Sequence, residues 1–346
     1  MTEQKFSLGL LPPDEIESAT NILFKLLNEL NRLLLGRSDL HKLVIIGILS
    51  QGHILLEGVP GVGKTALVKV LCHLLGLDGK RIQFTPDLMP GDILGTHILQ
   101  EKSDGTREMQ FQTGPIFTNI LLADEINRAS PKTQSALLEA MQEKSVTLMG
   151  KTRTLPSPFF VLASQNPIEM EGTYPLPEAQ LDRFMFKLSV GNAEASTLER
   201  IISERRRGET PAPEFRINKD EIQKLFEIHE KIILPKPVAK YISRLVAATH
   251  PKEKHSSDFV QKNVAYGASP RAAIAIAEAA RAEALFQKRP TVGFEDVKMV
   301  CTAVLNHRII LNYQAKFEGI TSEAIINDIL KNQENNNLNL PEEISL

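Results

Sequence analysis

Residues 53–75 read HILLEGVPGVGKTALVKVLCHLL, and the reading of this run decides the fold. It opens on a short apolar stretch, His53 to Glu57, with the pattern of a buried strand. It closes on Thr65 to Leu75, where apolar residues recur at helical spacing. Between them, Gly58-Val59-Pro60-Gly61-Val62-Gly63-Lys64-Thr65 fits G-x-x-x-x-G-K-[ST] in the strand-to-helix context that the motif requires. Glycine lets the backbone turn so that successive N–H groups point inward at a phosphate, and the helix N-terminus adds a favourable dipole. Lys64 is placed to reach the β- and γ-phosphates, Thr65 to ligate Mg²⁺, and Ala66 continues the first helical turn. A nucleoside triphosphate and Mg²⁺ are therefore the expected ligands.

Working outward, apolar runs at 81–85, 120–123, 159–164 and 184–190 read as further strands, with helices before and between them at 14–35, 38–50 and 131–143. Ser130-Pro131 opens the last of these, serine as N-cap and proline in the first turn. A short helix is expected within 86–95. Two hairpins interrupt the alternation, at 96–112 around Lys102-Ser103-Asp104-Gly105-Thr106 and at 145–155 around Met149-Gly150. Strands alternating with helices imply a parallel sheet. From residue 194 the spacing is helical throughout, with no strand-like run, and the Asn- and Glu-rich tail 331–346 reads as loosely held.

The chain has 346 residues, 42% hydrophobic and 24% charged, with a formal net charge of −2. That is enough for two domains, and the charge gives no support to a nucleic-acid-binding or membrane-surface protein. Cys72 and Cys301 stand far apart in apolar contexts, which fits a reducing compartment and no disulfide framework. No cationic-then-apolar leader opens the sequence, and the longest strongly apolar run, 43–49, is too short to span a bilayer. The expected location is cytoplasmic.

Chemistry concentrates at strand ends. Asp124-Glu125 follows the run 120–123. An aspartate there can hold Mg²⁺ through water, and the neighbouring glutamate can activate an attacking water. Asn166 ends the run 159–164; it could position that water, although Asn166-Pro167 also fits a simple turn. Arg183, in Gln180-Leu181-Asp182-Arg183-Phe184, could stabilise transition-state charge or form a surface ion pair with Asp182. Arg271, after Ser269-Pro270, sits in a first helical turn where the dipole opposes a cation, which suggests an anionic partner. Lys151-Thr152-Arg153 marks the second hairpin tip, Arg205-Arg206-Arg207 reads as a solvated helix end, and His250 and His255 flank a solvated loop rather than a zinc site.

The runs LLEGVPGVGKT, FTPDLMPGDILG, FQTGPIF, ADEINRASPKTQSALLEAMQE, ASQNPIEMEGTYPLPEAQLDRF and SPRA together resemble the MoxR family of AAA+ ATPases, over about residues 35–310. The resemblance implies an α/β P-loop core with a five-stranded parallel sheet of order 5-1-4-3-2 and β-hairpin insertions, followed by a smaller all-helical C-terminal lid. The corresponding division is an N-terminal helical segment 1–36, a core 37–192, a lid 193–330 and a polar tail 331–346. It implies that Asn166 is the first sensor, that Arg183 is an arginine finger reaching a neighbouring subunit's nucleotide, and that Arg271 is the second sensor, in cis or in trans. It implies a homo-oligomeric, typically hexameric ring that hydrolyses ATP to remodel, assemble, activate or metallate a client protein, often with a von Willebrand A domain partner. The rival readings are a DNA-translocating motor, against which stand the net charge and the lack of any basic, aromatic-rich or zinc-binding module, and a magnesium-chelatase-type motor.

Overall fold

The computed structural model describes residues 11–59, 61–101, 106–167, 172–205, 210–254 and 256–335. Pro60, the turn 102–105, Arg206, Arg207, His255 and the tail from 336 lie outside the described residues. The chain forms two compact units, one of residues 26–219 and one of residues 1–25 with 220–346.

The first unit is built on five central strands: β1 Ile54–Glu57, β2 Gly79–Gln83, β3 Ile120–Asp124, β4 Phe160–Gln165 and β5 Phe186–Ser189. They form one parallel sheet. Counted among these strands alone, the order is 5-1-4-3-2, as expected, with β1 between β4 and β5 and β2 at an edge. The interior strands are apolar because both faces are covered. Every residue of β3 is buried, while β2 exposes all but Ile82. On one face Leu55, Leu121 and Val161 pack with Leu137, Leu138 and Met141 from the helix Pro131–Glu143. On the other, the helix Ser38–Leu49 comes close enough at Gly47 that an added Cβ would lie 2.7 Å from Ile54 Cδ1. At the strand's far end, buried His53 accepts from Val161 N at Nδ1 and donates from Nε2 to Met141 O, tying β1 to β4 and to that helix.

Both hairpins are present. The first pairs Gly95–Glu101 with Arg107–Thr113, and its neck is two glycines whose added Cβ atoms would meet Gln112 O at 2.4 Å and Ile93 O at 2.1 Å. The second pairs Ser145–Leu148 with Lys151–Thr154 through Met149 and Gly150, both at positive φ (49° and 73°), the backbone of a type I′ turn. Arg153 lies 3.8 Å over the Phe111 ring and links the two. Ser130 caps Pro131–Glu143, accepting from Thr133 N at 3.4 Å. Three elements are shorter than expected or shifted: β2 begins and ends two residues early, β5 covers only Phe186–Ser189, and the short helix is Pro90–Leu94. Apolar residues flanking the paired ones, Phe84 after β2 and Phe184 before β5, continue the pattern by packing in the core.

The second unit contains helices Lys219–Lys231, Lys236–Ala248, Asp258–Asn263, Pro270–Phe286, Phe294–Leu305, Tyr313–Phe317 and Ser322–Asn335, joined by the start of helix Pro13–Leu33. Thr20 Oγ1 donates to Leu285 O at 2.8 Å, and Phe24 meets Phe286 edge-on. Ala272, Ala279, Ala280, Ala282 and Ala284 let Pro270–Phe286 lie close against Lys236–Ala248 and Phe294–Leu305. Two expectations need correction here. A short antiparallel ribbon, Val264–Tyr266 with Ile310–Leu311, sits among the helices; strands of three and two residues are too brief to leave an alternating pattern. Residues 331–335 are not tail but the end of helix Ser322–Asn335, with Gln333 buried.

The division by compactness also falls elsewhere than at 36 and 192. Helix Pro13–Leu33 gives its later half to the core unit, where Glu29 accepts from Glu214 N and Arg32 donates to Ala212 O. Ile217 N donates to Leu74 O, so the segment leading to 219 lies on the core. Among the described residues, no helix is long and apolar enough to cross a membrane.

Candidate functional site

The carboxyl ends of β1, β3 and β4 come out on one edge of the sheet, where open α/β folds bind ligands. β1 delivers the glycine loop. Gly58 N donates to Gln165 O at 3.1 Å, and an added Cβ at Gly58 would fall 2.5 Å from Val190 O, so the loop leaves the sheet through a gap that admits only glycine. Gly61 and Gly63 hold φ of 82° and 90°, and nothing lies within 4 Å of where their Cβ atoms would be. This left-handed backbone, which glycine adopts without strain, borders open space, a cradle that fits a phosphate chain. Gly63 leads into helix Lys64–Leu75, which ends at Gly76 in the left-handed region. Lys64 is buried, and its Nζ donates to Gly58 O at 2.7 Å. Burial pulls its pKa below the ordinary lysine value, and the charges of Asp124 and Glu125 act in the opposite sense. Thr65 and Ala66 occupy the first turn beside it, and Val59 and Val62 complete the described loop.

β3 delivers the acids. Asp124 ends the strand, buried, and Glu125 follows in the left-handed region (φ 57°, ψ 50°). Ser164 of β4, fully buried, joins the two: its Oγ donates to Asp124 Oδ1 at 2.5 Å and accepts from Glu125 N at 2.9 Å. The other Asp124 oxygen, Oδ2, accepts from Arg81 Nε at 3.1 Å and Nη2 at 2.8 Å. Arg81 Nη2 also donates to Gln83 Oε1 at 2.7 Å. Gln83 Nε2 in turn donates to Glu125 Oε2 at 2.7 Å, where Arg128 Nη1 also arrives at 3.0 Å. A hydroxyl at a helix start together with a buried strand-end aspartate is a donor set that suits Mg²⁺, so the chemistry of Thr65 and Asp124 fits that ion.

β4 delivers Asn166, one residue past its end and buried; its carbonyl accepts from Asn127 Nδ2 at 3.5 Å. Asn127 is itself fixed by the loop 172–177, since its carbonyl accepts from Tyr174 N, and Gln134 Nε2 donates to Tyr174 O. Arg183 follows the short helix Glu178–Leu181; its Nη1 donates to Leu138 O at 2.7 Å, and its buried Nε has no hydrogen-bond acceptor. Arg271 belongs to the helical unit, exposed in the first turn of Pro270–Phe286, with Ser269 Oγ accepting from its backbone N at 3.2 Å. Thus the core unit brings together Gly58, Val59, residues 61–66, Asp124, Glu125 and Asn166; Arg183 stands against the Pro131–Glu143 helix, and Arg271 on the other unit.

Comparison with known proteins gives the family of the chain. Residues 53–186 match the ATPase family associated with various cellular activities, and residues 257–329 match an AAA lid domain. The chain is 45% identical over 304 residues to Chaperone MoxR1 of Mycobacterium tuberculosis, covering 88% of this chain and 79% of that one. The chain belongs to the MoxR family of AAA+ ATPases. It is equally 45% identical to the uncharacterised Bacillus subtilis protein YeaC, over 89% of this chain and 93% of the relative. A crystal structure from Cytophaga hutchinsonii, of a protein assigned as an ATPase, superposes with a TM-score of 0.84 at 41% identity, covering 92% of this chain and 96% of that one.

In this MoxR-family core, five side chains around the site escaped the sequence reading: Arg37, Arg81, Gln83, Arg128 and Ser164. Arg81 and Gln83 had a detectable signal, because residues two apart on a strand share a face, here beside the neighbouring strand's acids. Arg128 lies three residues beyond Glu125, ion-pair spacing on a helical turn. Arg37 had none: its guanidinium donates to Val62 O and, at 2.8 Å, to Gly191 O, a junction that only the fold brings together.

Proposed function

We propose that this MoxR-family chain is a Mg²⁺-dependent ATP hydrolase that works as a homo-oligomeric ring, hexameric in the family pattern. The observation that carries the reading is the convergence, on one sheet edge, of an open glycine cradle, a lysine and a strand-end Asp-Glu pair. The backbone N–H groups of residues 61–65 and Lys64 Nζ would hold the β- and γ-phosphates, with Lys64 exchanging Gly58 O for phosphate oxygen. Thr65 and Asp124 would hold Mg²⁺, which when bound neutralises charge building on the phosphate oxygens. Glu125 takes the proton of the attacking water once it leaves Gln83 and Arg128, and Asn166 orients that water. Arg183 completes a neighbour's site. Among the described residues its guanidinium donates to Leu138 O alone, and a guanidinium delivered to a γ-phosphate raises turnover by ~10³–10⁵. Arg271 couples the lid to nucleotide state.

The client-directed role follows from the relative named as a chaperone. The chain would act in the cytoplasm on a protein client, with a von Willebrand A domain protein as adaptor. Exposed Leu99, Met109 and Met149 on the two hairpins offer apolar contact to an unfolded segment. The deciding test mixes Glu125→Gln, which keeps its finger, with Arg183→Ala, which keeps its pocket. Each alone should turn over poorly. Recovery of ATPase activity on subunit exchange supports the ring; no recovery with exchange confirmed would remove Arg183 from any neighbour's site.

A further inference from the structure

The aspartate assigned to the metal is already neutralised. Both Asp124 oxygens are engaged, Oδ1 by the Ser164 hydroxyl and Oδ2 by two nitrogens of Arg81. Ser164 is neutral and fully buried, and it can stay in place beside a cation. Arg81 cannot, because a guanidinium and a divalent ion compete for the same oxygen and repel one another. Their positions differ in a telling way. The Asp124 side chain is 11% exposed and fixed by the sheet, whereas Arg81 projects from the edge strand and is 51% exposed. The carboxylate is rigid, and its organic counter-ion is free to swing into water.

We propose that Arg81 is an internal competitor for the Mg²⁺ carboxylate, a positioning residue that sets how much divalent cation is needed to load the site. The same guanidinium holds Gln83 Oε1, and Gln83 holds Glu125. Displacement of Arg81 from Asp124 therefore also loosens the amide that restrains the water-activating glutamate. Metal loading and release of Glu125 become one event, and nucleotide without metal leaves Glu125 tied. This rests on the reading of Asp124 as the metal carboxylate.

The test measures binding, not turnover. A fluorescent, non-hydrolysable ATP analogue is titrated onto wild type, Arg81→Gln, Asp124→Asn and the double variant, first in EDTA and then across a Mg²⁺ series. In EDTA, Arg81→Gln should bind the analogue as wild type does, which also reports an intact pocket. Its Mg²⁺ midpoint should fall about three- to tenfold, the scale of a partly exposed, charge-assisted pair. Arg81→Lys, a point charge without the fork, should lie between. On the Asp124→Asn background, Arg81→Gln should shift nothing. An unchanged or higher midpoint in Arg81→Gln, or an equal shift without Asp124, overturns the competition. If Asp124→Asn itself leaves the midpoint at the wild-type value, the metal reading of Asp124 fails first, whatever Arg81 does.

Discussion

The glycine loop and the acid pair face each other across one sheet edge, yet they are prepared in opposite ways. The loop is open: Gly61 and Gly63 border empty space, and Lys64 rests on a carbonyl of its own loop. The acids are closed: Asp124 and Glu125 are held by Ser164, Arg81, Gln83 and Arg128, drawn from β2, β4 and the turn after β3. On the proposed reading, binding capacity is built into local backbone geometry, while catalytic capacity is restrained by Arg81, Gln83 and Arg128, which must let go. Under that proposal, a site so divided would take up nucleotide without committing to cleave it.

The largest effects should come from breaking each half separately. Lys64→Ala removes a charge from the open half, so both analogue binding and turnover should collapse. Glu125→Gln should keep binding near wild type and lower turnover by ~10²–10⁴. Equal losses of binding in the two variants, measured by titration beside steady-state ATPase assays, would erase the distinction.

A middle-sized effect concerns what keeps the two halves in register. Burial holds His53 at about 4, against an ordinary value near 6.5. Between these values the unfolded chain binds a proton that the folded chain refuses, so stability is full above 6.5 and falls as pH drops towards 4. The loss for this group is about 3 kcal/mol. His53→Gln cannot titrate, and the urea stability of the core should then depend on pH less steeply by about that amount. His41, likewise held at about 4 by burial and by Arg37, supplies a similar slope that remains in the variant. An unaltered slope in His53→Gln would refute the assignment.

The smallest expected effect sharpens the open half. Arg37 donates to Val62 O and Gly191 O, bracing the loop from outside. Arg37→Ala should weaken analogue binding about tenfold, ~1–2 kcal/mol. The rate at saturation should change little, since the acids are untouched. A fall in rate with binding preserved would place Arg37 in the closed half instead.

The same contrast explains what could be read from the sequence. The glycine loop, Lys64, the Ser130 cap and the Met149-Gly150 turn are local, and each was legible because its residues must supply a particular φ or a particular hydrogen bond within a few positions. Sheet order and the finger, sensor and lid roles were reached through family resemblance; no spacing rule yields a strand order of 5-1-4-3-2. Ser164 and Arg37 were invisible because their partners lie 40 and 25 or more residues away. The ribbon at 264–266 and 310–311 was missed because its pairing depends on helices already packed.

Glu125 carries a consequence for anyone who engineers this chain. It is a non-glycine residue in left-handed backbone, a conformation that costs an L-amino acid about 1–2 kcal/mol. Glycine would relieve that cost, and selection for heat tolerance alone should favour Glu125→Gly while discarding the carboxylate proposed to activate water. A library screened by melting temperature would drift towards inactive binders, so thermostable variants of this protein need to be selected on turnover as well.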